Sequence, residues 1–214
     1  MPLFPSIKPR LKRQLKPFVQ RLASAGATPN QVMWVNFILC ATGGGAVLLG
    51  SFSPHFLLAI PVVLLLRTML NATDGMLTRE YKHQTRLGAT LTELGDVFSD
   101  VMLFLPFALI PGIHAWLMVV LVILIVIAEL STIMAHIARV AKPYDGPMGK
   151  SDRAAIFFLL SLVIGCGVTP GLWTNIVLGV TAILLVIAMY WHLSQALIKA
   201  KKRFQRPKIL QIRE

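Results

Sequence analysis

The chain has 214 residues, 56% of them hydrophobic and 14% charged, with a formal net charge of +12 and a mean hydropathy of +0.70. That balance leaves too little polar surface for a soluble domain, so it excludes soluble enzymes and describes an all-α, polytopic membrane protein. Nucleic-acid binding is excluded as well: Lys and Arg sit in short segments between apolar runs, which suits the positive-inside rule and anionic headgroups, and no soluble basic domain remains.

Residues 1–29 read as a cytoplasmic juxtamembrane segment. Leu11, Leu15, Phe18, Val19 and Leu22 fall at helical spacing opposite Lys12, Arg13, Lys16 and Arg21. This predicts an amphipathic helix lying on the membrane surface, with a disordered basic tail as the alternative because of Pro9 and Pro17. No cleavable signal peptide is expected, since the first long apolar run begins near Gln31. Thr28-Pro29 predicts a helix start, with Thr as the cap and Pro at the first helical position.

Six apolar runs follow, over 30–50, 55–78, 87–111, 114–139, 152–169 and 172–198, each near the ~20 residues that a helix needs to cross hydrocarbon. They define a six-helix transmembrane domain over 30–198. The connectors near 79–86 and 139–153 carry Arg79, Lys82, Arg86, Arg139, Lys142, Lys150 and Arg153, whereas those near 51–54, 112–113 and 169–172 carry no charge. Both termini are basic too, so both are expected in the cytoplasm. The tail 199–214 reads as a headgroup-binding continuation of the last helix, with seven basic residues from Lys199 to Arg213. Gly43-Gly44-Gly45 predicts a close helix approach, within the chain or in a dimer. Cys40 and Cys166 each lie in an apolar run, so no disulfide framework is expected.

The stretch Asn71 to Asp100 is different in kind. Asp74, Glu93, Asp96 and Asp100 lie beside or inside apolar segments, where an ionised carboxylate is costly unless it meets a cation. Asn71 and Asp74 share one helix face, and Thr92, Asp96 and Asp100 share another. Two oxygen-rich faces at the same end of the second and third spans could hold a hard divalent ion; a purely structural ion pair is the alternative.

Asn71-x2-Asp74-Gly75-x2-Thr78-Arg79-x8-Gly88-x3-Thr92-x3-Asp96 resembles the signature of the CDP-alcohol phosphotransferases, D-x2-D-G-x2-A-R-x8-G-x3-D-x3-D. Asp74, Gly75, Arg79, Gly88 and Asp96 match at full spacing, and the wording is similar to a bacterial inner-membrane branch of that family. Asn71, Thr78 and Thr92 depart from the signature. The resemblance implies a membrane enzyme of phospholipid biosynthesis in the bacterial inner membrane, acting as a homodimer. It would move a phosphatidyl group from CDP-diacylglycerol, or a related group from another CDP-alcohol, to a hydroxyl acceptor with release of CMP. It further implies Mg²⁺ or Mn²⁺ at Asn71, Asp74, Thr92 and Asp96, with Asp96 also as general base, and Gly75, Arg79 and Gly88 at the CDP moiety.

Replacing two aspartates by Asn71 and Thr92 removes two negative charges, so Glu93 or Asp100 is the expected substitute ligand. Lys150 and Arg153 flank the start of the fifth span, where Ser151 could cap it, and form a candidate anion site. The family places its acceptor near that position. Topogenic charge is the plain alternative there. At 1.5 Å per residue from the nearest loop arginine, Arg67, Asp100 and Glu129 lie at comparable depths of roughly 15 to 21 Å, so Arg67 is expected to pair with Asp100 or Glu129. His83 is the histidine nearest the motif, and no His/Cys metal spacing appears. A non-catalytic relative that binds nucleotide or lipid, or scaffolds a partner enzyme, is the rival reading; a small transporter would not explain the Gly and Arg positions.

Overall fold

The computed structural model describes residues 7–80, 86–137 and 149–204; side chains are described from Leu15 onward, except 79–91, 132, 135–148, 192–193 and 195–204. The loop with His83, the segment 143–147, the Arg79 side chain, the surroundings of Gly88 and most of the basic tail therefore lie outside the described residues. Among the described residues there is no strand. Seven α-helices run in order: α1 (Ile7–Ser24), α2 (Pro29–Gly50), α3 (Ala59–Glu80), α4 (Arg86–Phe104), α5 (Ala115–Ile137), α6 (Lys150–Gly165) and α7 (Leu172–Phe204). Short 3-10 turns, Pro54–Leu58 and Leu105–Leu109, precede α3 and follow α4.

Among the described residues three stretches are long and apolar enough to cross a membrane, Pro29–Gly50, Pro54–Thr78 and Leu172–Trp191, and Ala115–Ser131 is a shorter apolar helix. The run expected over 87–111 is not one uninterrupted helix. Pro106 falls in the first turn of the 3-10 segment that ends α4, where a residue without an N–H and with a fixed φ breaks the α-helical ladder.

α2 begins as its sequence dictates. The Gln31 N–H donates to Thr28 Oγ1 at 3.4 Å and the Thr28 N–H donates to Gln31 Oε1 at 3.0 Å, a reciprocal cap with Pro29 next to it. α2 then packs against both α3 and α4. The glycine run explains the closeness to α4. A Cβ at Gly43 would lie 2.8 Å from Leu103 Cδ1, and one at Gly44 would fall on the Met102 carbonyl oxygen, whereas Gly45 faces open space. The close approach anticipated from sequence is thus made inside the chain. α6 packs on α3, α5 on α4, and α7 on α5.

The core lies between these helices, where Phe157 of α6 stacks on Phe104 with centroids 4.1 Å apart and meets Phe107 edge-on at 5.3 Å. Outside, large apolar side chains such as Trp34, Ile38, Leu65, Ile123 and Ile183 are exposed, a belt that water would not tolerate but lipid tails would. α1 continues through Pro17. Its Val19 is buried against Val32, Met76 and Leu77, so one flank of this helix is covered by α2 and α3, next to the segment bearing Asp74.

Candidate functional site

The charged groups of the site come from α3, α4, α5 and α6 and run from the start of α6 at Lys150 into the bundle as far as Arg67 and Asp100. Arg67, Asn71 and Asp74 are spaced i, i+4, i+7 on α3, Asp96 and Asp100 are i, i+4 on α4, and Lys150 and Arg153 are i, i+3 on α6; each set therefore shares a face. Glu129 comes from α5 and Asn36 from α2.

The polar groups form a continuous chain. Arg67 pairs with Asp100 and donates through Nη2 to the Asp96 carbonyl oxygen at 3.3 Å. Arg153 pairs with Glu129 and lies 3.6 Å from Asp100 Oδ2. Lys150 Nζ stands 3.0 Å from both Asp96 Oδ2 and Glu129 Oε2. Asn36 Nδ2 donates to Asp96 Oδ1 at 3.4 Å. Arg67, Asp100, Glu129 and Arg153 are all buried, where a charge persists only when paired; the guanidinium fork lets Arg153 serve two carboxylates. The Lys150 side chain keeps 44% of its surface exposed.

The depth match placed Arg67 with Asp100 and Glu129, and the structure selects Asp100. Glu129 has a larger part than structural balance alone, since it joins Lys150 to Arg153. Asn36 was not among the residues picked out by motif or spacing. Its only sequence signal is an amide inside an apolar run.

Asp74 contrasts with this network. Its Oδ1 is buried and meets no hydrogen-bond donor among the described residues, while the charges of Asp96 and Lys150 lie within electrostatic reach of it. A buried carboxylate oxygen without a donor needs a partner. Thr92 is buried and Glu93 half-buried on α4, one turn before Asp96. Asp100, one of two suggested substitute ligands, is instead committed to Arg67 and Arg153.

Among the described residues no three His, Cys, Asp or Glu side chains gather as a metal cluster. Asp74, Asp96, Asn71 and Thr92 offer oxygen donors only, the chemistry that Mg²⁺ or Mn²⁺ takes together with phosphate oxygens, although Asp96 would have to exchange its contacts with Lys150 and Asn36 for the ion. The residues present fit such an ion.

Beside these acids lies a cavity of about 240 Å³, lined by Arg67, Asn71, Asp100, Phe104, Lys150 and Arg153 among others. The start of α6 forms part of its wall. Here the Gly149 N–H donates to Asp152 Oδ2 at 3.0 Å, so Asp152 rather than the expected Ser151 caps the helix; a carboxylate three residues in reaches back and also complements the helix dipole. Among the described residues, nothing from outside its own helix backbone lies within 4 Å of where a Cβ on Gly75 would sit.

An apolar outer belt, membrane-length helices and a cavity bordered by buried ion pairs define an integral membrane protein with a charged interior. The chain belongs to the CDP-alcohol phosphatidyltransferase family, whose model matches residues 27–198. It is 37% identical over 180 residues to the inner membrane protein YnbA of Escherichia coli, covering 84% of this chain and 89% of that protein. It is 27% identical over 159 residues to the archaetidylinositol phosphate synthase of Pyrococcus horikoshii, covering 73% and 80%. Among solved structures, the fold matches the phosphatidylinositol phosphate synthase PgsA1 of Mycobacterium tuberculosis with CDP-DAG bound, with a TM-score of 0.69 at 20% identity over 86% of this chain and 94% of that one. The same synthase in complex with manganese and citrate matches with a TM-score of 0.66 at 19% identity, covering 84% and 87%.

Proposed function

We propose that the protein is an inner-membrane transferase that moves a phosphatidyl group from CDP-diacylglycerol to a hydroxyl acceptor, releasing CMP. The observation that carries this reading is the half-buried Asp74 carboxylate, one of whose oxygens is buried without a donor among the described residues; the charge of Asp96 lies within its reach, and Asn71, one turn earlier on the same helix, lines the cavity. Family membership supplies the reaction class, and the similar PgsA1 structures are described with CDP-DAG and with manganese.

Asp74 and Asp96, with Asn71 and Thr92 as neutral oxygen donors and Glu93 close by, would hold Mg²⁺ or Mn²⁺. When bound, that ion supplies charge neutralisation of the diphosphate. Asp96 accepts the acceptor's hydroxyl proton, with Asn36 and Lys150 fixing its carboxylate in place. Arg79 offers a planar fork to a phosphate, and the bare backbone at Gly75, with Gly88 opposite in the motif, lets the nucleotide approach. Glu129 holds Lys150 and Arg153 in position, and Asp100 holds Arg67.

In the membrane we place six crossings within 30–198, with α1 along the surface, both termini and the basic tail on the cytoplasmic side, and two chains associating as a homodimer. Asn71 and Thr92 favour one rival, a non-catalytic relative. Metal-dependent release of CMP from CDP-diacylglycerol by the purified protein separates the two. Asp96→Asn is expected to lower that rate by about 10²- to 10⁴-fold; a rate unchanged by the substitution, or no CMP release with any acceptor, would discard the enzymatic reading.

A further inference from the structure

We infer that the acceptor admitted to the cavity is a small uncharged hydroxyl compound rather than a phosphorylated one, because Glu129 occupies the cations that would otherwise grip a phosphate. The inference rests on the transfer reading above and narrows its substrate class.

Three cations border or wall the cavity, Arg67, Lys150 and Arg153, and the three carboxylates of Asp96, Asp100 and Glu129 pair with all of them. Arg67 and Arg153 expose only 8% and 4% of their side chains, so neither turns a free fork toward a ligand. Lys150 keeps an open flank, but two of its three N–H donors are directed at carboxylates 3.0 Å away. Among the described residues, and before any ion binds, a phosphate entering here would meet cations whose charge is already matched, close to Asp96 and Glu129, and would have to strip a buried cation from its partner.

A neutral hydroxyl compound meets no such barrier. The Asn71 amide and the remaining Lys150 donor can hydrogen-bond its hydroxyls, while Ala72, Phe104 and Ala154 of the same lining contact its carbon skeleton. The cavity of about 240 Å³ equals roughly eight waters at about 30 Å³ each, the scale of a small polyol. In the transfer, a hydroxyl oxygen of this compound bonds to the phosphatidyl phosphorus as the bond to the bridging diphosphate oxygen breaks. CMP leaves with that electron pair, and the hydroxyl proton passes to Asp96. Glu129 touches neither reactant and is a positioning residue that sets the charge of the acceptor. Two similar proteins are named for inositol phosphate lipids; the balance of charge here points to a different acceptor.

The first test needs no catalysis. Inorganic phosphate is titrated into detergent-purified protein in EDTA, with thermal unfolding as the readout, for wild type and Glu129→Gln. The wild type is expected to show no shift at millimolar phosphate, and the variant to bind it roughly tenfold more tightly or better, as when a like charge a few ångströms from an anion is removed. Wild-type binding as tight as the variant's, or submillimolar, overturns the inference, and the wild-type titration decides alone if the variant does not fold. The second test compares CMP release with glycerol against glycerol 3-phosphate, and with inositol against inositol phosphate. Preference for the uncharged member of each pair is expected, and preference for the phosphorylated member overturns the inference. Absence of release with every compound defeats the transfer reading instead, and the phosphate titration then still decides the charge argument.

Discussion

Asp100→Asn isolates the part of the network that holds the site together. Asp100 is buried between Arg67 and Arg153. Arg153 would retain Glu129, but Arg67 would keep only neutral acceptors, the substituted amide oxygen and the Asp96 carbonyl at 3.3 Å, with no countercharge of its own. Removing one partner of a buried pair costs about 3–5 kcal/mol. At about 2–4 °C per kcal/mol for a chain of this size, the unfolding midpoint should fall by about 6–20 °C. Thermal unfolding followed by tryptophan fluorescence in detergent, with EDTA present, measures it. Adding Arg67→Met should return part of the loss, since the two sites couple by about 0.5–3 kcal/mol. The outcome that refutes this reasoning is specific: a midpoint unchanged in EDTA together with loss of the stabilisation given by Mn²⁺ would make Asp100 a metal ligand rather than the counter-ion of Arg67.

Three further outcomes follow from other contacts. Gly44→Ala drives a methyl into the Met102 carbonyl and should cost about 1–3 kcal/mol, whereas Gly45→Ala meets nothing within 4 Å and should stay within about 0.5 kcal/mol of wild type; the same unfolding assay checks both. Asp152→Ala removes the acceptor of the Gly149 N–H and should destabilise by about 0.5–2 kcal/mol, seen as a lower midpoint without loss of Mn²⁺ binding. Asn71→Asp with Thr92→Asp adds two carboxylates near Asp74 and Asp96 and should tighten Mn²⁺, measured by calorimetry, by tenfold or more, about 1.4 kcal/mol.

Local chemistry was readable from the sequence wherever it depends on neighbours along the chain. The Thr28–Gln31 cap, the helices and the pairing depth of Arg67 and Asp100 all follow from spacing and rise per residue. What spacing cannot carry is which faces meet. Asn36 reaches Asp96 because α2 packs closely on α4, and that depends on Gly43 lying against Leu103 and Gly44 against the carbonyl of Met102. Glu129 joins Lys150 to Arg153 because α5 and α6 bring them to one end, an arrangement with no local signature. Pro106 was visible, but its effect of ending α4 in a tighter turn was lost in a uniformly apolar run. The cap of α6 was misplaced on Ser151 because serine is the commoner capping residue, whereas the side chain that reaches the Gly149 N–H is Asp152, at the third helical position.

The buried ionic chain also constrains how the protein is made. Arg67, Asp100, Glu129 and Arg153 each sit on a different helix, so each of four hydrophobic segments leaves the ribosome with a charge whose counter-ion belongs to a segment synthesised later or earlier. None can settle alone in lipid without a penalty of several kcal/mol. Biogenesis therefore favours retention of these segments beside the insertion machinery until α6 has emerged, and release of the four as a neutralised unit.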